Sequence, residues 1–156
     1  MLTSRRYFMN TDSWPHEKIH TGALRYIRAH TVDESAWRFT CLDALPERLG
    51  RIIRLDEPEQ AIVSCFIDGL NWYVMTTTRT FGLFRGSQFT CSPLEVRRWK
   101  WGNFKGGGRT QVEEATLALA NGTHMKLLYE TGEASMAPMC CVRFWDTEYP
   151  ALEKRV

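Results

Sequence analysis

Hydrophobic residues near the start of the chain recur at the spacing of an amphipathic helix. Ile19, Ala23, Tyr26 and Ile27 form one stripe, and Pro15 suits a first helical turn, where its missing N–H costs nothing. The pattern therefore predicts a helix over residues 14–30.

A second, shorter helix is predicted over residues 44–51. Asp43 would be its N-cap, and Pro46 would lie within its first turn. The residues that would face inward are Leu45, Leu49 and Ile52.

From residue 60 onward the apolar positions alternate, which is typical of strands. Asp68-Gly69 between two apolar runs predicts a two-residue type I′ turn with positive φ at Gly69. That register gives the hairpin one apolar face, in which Ile67 pairs with Leu70, Cys65 with Trp72 and Val63 with Val74.

Further strands are predicted over residues 80–84 and 94–101, and a second hairpin over residues 111–130. A three-residue loop over residues 120–122, with Gly122 left-handed, sets Leu117 against Met125 and Ala115 against Leu127. A competing interpretation takes Thr110 and Glu113 as a capping box that opens a helix ending at Gly122. We prefer the strands.

The last apolar segment, residues 136–146, predicts a closing helix with Ser135 as its N-cap and Pro138 in its first turn. Alternation of Cys140, Val142 and Phe144 leaves a strand as the alternative. The side chains at helical spacing are Met136, Met139, Cys140, Arg143 and Phe144.

Two helices, several short antiparallel strands and a closing helix define an α+β fold class. From residue 59 to about 145, this order resembles the pleckstrin-homology superfold, in particular its bacterial and GRAM-type members. The resemblance is carried by the strand 61–67, the segment 72–79 ending in Thr-Thr-Thr-Arg, the basic strand 94–101 and the final apolar helix.

The resemblance implies a bent antiparallel β-barrel over residues 56–156, closed by the C-terminal helix. Residues 1–55 would be a helical extension packed against the barrel as one unit. Domains of this superfold bind phosphoinositides, peptides or protein surfaces and are seldom enzymes.

Composition supports a globular, cytoplasmic protein. The chain has 156 residues, 44% of them hydrophobic, and its net charge is +2. Its five cysteines form no Cys-x-x-Cys motif, which favours reduced thiols over a disulfide framework. Apolar runs reach only about four residues, so no membrane span is predicted. No cofactor is predicted either.

The charge is concentrated in residues 93–110, which hold five basic groups and one acidic group. A bulge after Val96 would turn the two tryptophans of this strand inward and leave a solvated basic face. Otherwise arginine and tryptophan would share an exposed patch, and both are enriched at binding hot spots. The candidate binding residues are Arg97, Arg98, Trp99, Lys100, Trp101, Lys105 and Arg109.

A second motif, His16-Glu17-Lys18-Ile19-His20, matches H-E-x-x-H. One helical turn would place both imidazoles on one face, with Glu17 as the general base of a zinc-bound water. Lys18 puts a positive charge between the two ligands, and no later histidine has the spacing of a third ligand. We therefore predict no bound metal.

These observations favour a non-enzymatic module that binds a protein. By analogy, a small domain of this kind suits an immunity protein that inhibits a bacterial toxin. The alternatives are a regulatory module that binds anionic lipid through the basic strand and a zinc-dependent hydrolase that uses His16, Glu17 and His20. Nucleic acid is disfavoured, because the net charge is small and separate aromatic platforms are absent.

Overall fold

The computed structural model describes residues 2–106 and 111–148, with the side chains of residues 16–106 and 111–147. Its first element is helix α1 (Leu2–Ala29), which begins earlier than the predicted helix and ends one residue before it. The predicted stripe faces the core, because Ile19, Ala23 and Ile27 are buried and Tyr26 is half-buried. Helical spacing therefore identified the packed face of α1 correctly.

Two antiparallel sheets follow, which confirms the α+β fold class. A five-stranded sheet runs in chain order through β1 (Thr40–Leu42), β2 (Ala61–Asp68), β3 (Asn71–Thr76), β4 (Thr80–Phe84) and β5 (Ser87–Cys91). A three-stranded sheet contains β6 (Val96–Lys100), β7 (Val112–Leu119) and β8 (His124–Glu130). Within the described residues no strand of one sheet pairs with the other, so the implied barrel is not confirmed.

Strand β1 is a feature that the sequence analysis did not predict. It lies within the supposed helical extension and pairs with β2, joining Thr40 to Cys65 and Leu42 to Val63. The carboxylate of Glu130 on β8 binds the residues that lead into β1. It accepts hydrogen bonds from the amides of Arg38 and Phe39, and from the hydroxyl of Thr40 in β1. The extension and the sheets are thus joined by hydrogen bonds.

Both faces of the five-stranded sheet are covered, so β2 is buried without interruption from Ala61 to Phe66. The main core lies between this sheet, the three-stranded sheet and the helices. A smaller cluster lies on the outer face, where Phe66, Trp72 and Val74 of β2 and β3 pack against Leu49 and other apolar residues of the segment 45–55.

The predicted register of the first hairpin is wrong by one residue. Asp68 pairs with Asn71, so the turn residues are Gly69 and Leu70, and Gly69 does not have positive φ. The Asp68 carboxylate accepts a hydrogen bond from the Leu70 amide at 2.8 Å, which stabilises the turn in this position.

Between the pairs Phe66–Trp72 and Asp68–Asn71, β2 has one residue more than β3, and this extra residue forms a β-bulge. Cys65 consequently pairs with Tyr73 on the main core side, and Phe66 pairs with Trp72 on the outer side. A one-residue shift exchanges the faces, as expected from the period of two along a strand.

The second hairpin has the predicted register, with Leu117 opposite Met125 and Ala115 opposite Leu127. Gly122 has a φ of 91°, so the left-handed loop residue is confirmed. The competing helix is wrong.

The predicted second helix is reduced to one turn, α2 (Glu47–Gly50), with Pro46 in place of Asp43 at the N-cap. Asp43 instead adopts a φ of 69° and donates its amide to Ile62 on the neighbouring strand. Leu49 is buried as predicted, but Ile52 is 55% exposed.

The closing helix α3 (Met136–Arg143) is confirmed, and a π-helical turn over Phe144–Glu148 extends it. Ser135 precedes α3 at the end of a 3-10 turn, and its hydroxyl donates to the Gly132 carbonyl, so it makes no side-chain cap. Across residues 2–106 and 111–148, no helix has the combination of length and apolar character that a membrane crossing requires.

Candidate functional site

The basic strand begins later than predicted, because Pro93–Glu95 forms a 3-10 turn. Ser92 and Glu95 form a capping box, in which the Ser92 amide donates to the Glu95 carboxylate at 2.7 Å. The Glu95 carbonyl accepts a hydrogen bond from the Ala120 amide, 2.8 Å away. The start of β6 is thereby held against the end of β7.

A β-bulge directly after Val96 decides which side chains of β6 face the core. Val96 pairs with Leu119 and Arg98 pairs with Ala118, so Arg97 is the extra residue. Beyond the bulge, the two tryptophans pack against the core and the cations point to solvent. Of the two arrangements considered from the sequence, the structure has the one with the bulge.

The two tryptophans stack on each other at the rim of the core. Their ring centroids are 4.6 Å apart and their planes differ by 10°. Trp101 also meets the ring of Tyr129 edge-on at 5.3 Å, and the Tyr129 hydroxyl donates to the Trp101 carbonyl. Burial raises the pKa of Tyr129, so this donor stays protonated. Both indoles are half-buried, and the stack therefore belongs partly to the core and partly to the surface.

The cations of β6 have no partner in the part of the chain that the structure describes. Arg97, Arg98 and Lys100 are exposed and form no ion pair or hydrogen bond with the described part of the chain, and the same holds for Lys105 in the following loop. Arg109 lies outside the described residues. The ion pairs of other arginines are Arg28–Glu34, Arg51–Glu47, Arg79–Glu59 and Arg85–Glu114. The charge of β6 is therefore available to a partner.

A cavity of about 280 Å³ opens beside these cations, between β6 and the end of the C-terminal helix. Arg97, Arg98 and Trp99 line it from β6. The other side chains that line it are Thr80, Pro93, Val96, Val142, Trp145 and Asp146. The cavity brings together three of the predicted binding residues and does not include Lys100, Trp101 or Lys105.

Sequence reasoning did not find Thr80, Val142 or Trp145 as part of this site. Val142 and Trp145 are separated by one helical turn, so their common face was readable from the sequence. Their position beside β6 follows from packing across about 45 positions of the chain, and local spacing carries no information about it.

The two histidines of the H-E-x-x-H motif bind separate partners. His16 Nδ1 lies 2.7 Å from the Thr77 hydroxyl, and His20 Nε2 lies 2.7 Å from the Asp43 carboxylate. No group of three potential metal ligands occurs in the part of the chain that the structure describes. These contacts join α1 to the residues that directly follow β3 and β1, and they direct the two imidazoles to different partners.

The cysteines do not form a nucleophilic site among the described residues. Burial raises the pKa of Cys65 to about 12 and that of Cys91 to about 11, so both thiols are protonated at neutral pH. Burial also raises the pKa of Cys41, Cys140 and Cys141.

Comparison with known proteins gives no relative: no family model, no curated protein and no solved structure matches this chain.

Proposed function

We propose that this protein is a non-enzymatic binding module whose partner is a protein with an acidic surface. The observation that carries the proposal is the row of exposed cations on β6, which have no partner among the described residues and lie beside a cavity. Exposed cations that lack an internal partner can complement negative charge on another molecule, and such complementarity raises association rates and fixes orientation.

The size of the cavity favours a protein over a small ligand. Drug-sized ligands occupy roughly 300–1,000 Å³, and this cavity has about 280 Å³. Such a volume suits a single side chain that protrudes from a partner surface. The half-buried Trp99 at its wall supplies the aromatic contact that is common at the centre of protein interfaces.

The proposal includes a pleckstrin-homology-like arrangement. Strands β2 to β5 form one antiparallel sheet with β1 at its edge, β6 to β8 form a second, and α3 follows after a 3-10 turn. This order supports the resemblance. By analogy, the partner would be a bacterial toxin that this protein inhibits. A large toxin encoded just upstream of the gene would support this role.

Photo-crosslinking in living cells tests the proposal. A photoreactive phenylalanine derivative at position 100 lies on the exposed face of β6, and the same group at position 25 lies on the exposed face of α1. We expect a protein adduct from position 100 that is absent from position 25. Equal adducts from both positions, or none from position 100, would contradict the proposal.

Vesicle sedimentation tests the lipid alternative. Anionic and neutral vesicles are mixed with the wild-type protein, because clustered cations also attract anionic membranes. We expect the protein to remain in solution with both. Sedimentation with anionic vesicles that is lost on replacing Arg97, Arg98 and Lys100 by alanine would favour the lipid instead.

A further inference from the structure

The β-bulge after Val96 places two neighbouring arginines at one cavity. In a regular strand, the side chains of successive residues point to opposite faces. Arg97 is the extra residue of the bulge, and Arg97 and Arg98 both line the cavity of about 280 Å³ beside β6. A bulge can change the direction of a side chain in this way, and bulges are frequent next to active sites. The bulge therefore gives the cavity a pair of cations that regular alternation would separate.

Neither arginine is held in another contact. Both side chains are exposed, and neither has an ion pair or a hydrogen bond with the described residues. A guanidinium group is a planar fork of N–H donors, which can bind an oxyanion through two parallel hydrogen bonds. Two such groups at one cavity indicate an occupant with a carboxylate or a phosphate group.

A hydroxyl group without a partner also belongs to the lining. Thr80 of β4 lines the cavity and is 2% exposed, and its hydroxyl makes no hydrogen bond with the described residues. Most buried polar groups in proteins are hydrogen-bonded, and one that is not raises the free energy of the fold. An occupant that accepts a hydrogen bond from Thr80 would remove this cost.

The other groups in the lining favour a carboxylate over a phosphate. Asp146 lines the same cavity, so a negative charge opposes an occupant that carries more than one. A phosphate monoester has a charge of about −1.5 to −2 at pH 7, whereas a carboxylate has a single charge. Pro93, Val142 and Trp99 add apolar surface, which can contact the methylene groups of an acidic side chain.

We propose that this cavity binds the carboxylate of one aspartate or glutamate side chain of the partner. Arg97 and Arg98 bind the carboxylate, and Thr80 donates an additional hydrogen bond. This inference rests on the proposed function, because it names the group of the partner that enters the cavity. It adds a geometric requirement: general charge complementarity needs positive charge, whereas this site needs the guanidinium fork.

The probe is a displayed library of random ten-residue peptides, selected on the wild-type protein. Peptides that also bind the Arg97→Ala, Arg98→Ala double variant are removed. We expect the selected peptides to share one aspartate or glutamate, and its replacement by asparagine or glutamine to weaken binding at least tenfold. Peptides without a required acidic residue, or no peptide that depends on the two arginines, would overturn the proposal.

A lysine variant separates the guanidinium fork from its charge. Arg97→Lys combined with Arg98→Lys keeps both charges, and we expect it to bind the selected peptides at least tenfold more weakly, mainly through faster dissociation. Arg25→Lys combined with Arg54→Lys changes two exposed arginines outside the cavity and should bind like wild type.

The lysine variant also distinguishes this inference from the proposed function. Normal binding by Arg97→Lys, Arg98→Lys would show that charge alone is sufficient, which would overturn the inference and leave the proposed function intact. The proposed function depends instead on the protein adduct from position 100. Acid-dependent peptides without that adduct would contradict the proposed function and support the carboxylate site.

Thr80→Val tests the hydroxyl, because valine keeps the shape of threonine. We expect binding at least threefold weaker and a melting temperature no lower than that of wild type, since the hydroxyl has no partner among the described residues. Unchanged affinity together with a lower melting temperature would overturn the assignment of Thr80 as a donor. Inorganic phosphate that displaces the peptides at a lower concentration than acetate would assign the cavity to a phosphate group and overturn the proposal.

Discussion

The indole of Trp99 stacks on the indole of Trp101 at 4.6 Å, and only Trp101 also contacts Tyr129. The two residues are two positions apart and so lie on one side of the extended backbone, and the bulge after Val96 turns that side toward the core. The pair forms the inner side of β6 beneath its cations, and the two tryptophans should differ in their contribution to stability.

Trp101→Ala should therefore destabilise the protein more than Trp99→Ala. We expect a loss of about 3–4 kcal/mol for Trp101→Ala, because it removes the stack, the edge-on contact and buried apolar area. Trp99→Ala should cost about 1–2 kcal/mol, since it removes the stack but leaves the edge-on contact between Trp101 and Tyr129 in place. Urea denaturation measures both values, and an unchanged midpoint for Trp101→Ala would show that the stack is a surface feature only.

The corrected first hairpin makes a prediction about two glycines. Gly69→Ala should change stability by less than about 0.5 kcal/mol, because Gly69 has no positive φ and no atom lies within 4 Å of an added Cβ. Gly122→Ala should cost about 1–2 kcal/mol through left-handed strain alone, since its φ is 91° and its surroundings are equally open. Equal urea midpoints for the two variants would contradict this description of the turns.

The Glu59 carboxylate should contribute to the acid sensitivity of the fold. Burial acts to raise its pKa, but hydrogen bonds from Arg79, Thr76 and Thr78 outweigh burial and hold that pKa below its usual value of 4.5. A lowered pKa gives stability that is present above pH 4.5 and is lost as the pH falls through the folded-state value.

Glu59→Gln should therefore reduce stability at pH 7 and show a shallower decline below pH 4.5 than wild type. Free energies of unfolding from urea titrations between pH 3 and pH 7 give the comparison. Parallel curves for wild type and variant would mean that this carboxylate has no part in the acid response.

The histidines of α1 should act as structural contacts. His16→Ala removes the hydrogen bond to Thr77 and should cost about 1 kcal/mol. A chelator should leave the wild-type melting temperature unchanged, because a bound metal would stabilise the fold and its removal would lower that temperature. One zinc per chain by elemental analysis would contradict this interpretation.

Local sequence patterns predicted which segments form helices and strands better than they predicted how the strands pair. Gly122 identified the second hairpin and its register, since the left-handed loop residue leaves one alignment of Leu117 with Met125. The register predicted from Asp68-Gly69 is wrong by one residue. The structure has a bulge between Phe66 and Asp68, and no residue type in that segment indicates a bulge. Sequence reasoning likewise missed β1, which has only three residues and depends on Glu130, about 90 positions away.

The candidate site likewise has residues that the local sequence predicted and residues that only long-range packing brings there. Alternation and charge identified Arg97, Arg98 and Trp99, and the bulge that orients them was one of the two arrangements considered. The opposite wall of the cavity, from Val142 to Asp146, is brought there by the packing of the C-terminal helix. No local signal in β6 indicates that wall.

The most direct test of the account compares two charge-matched triple variants for binding of the protein captured from position 100. Arg97, Arg98 and Lys100 are replaced by alanine in one, and the exposed Arg25, Arg54 and Arg143 are replaced in the other. We expect the first variant to keep its melting temperature and to bind at least tenfold more weakly at low salt, with a smaller loss at high salt. The second variant should bind like wild type, and equal affinities of the two folded variants would contradict the assignment of the site to β6.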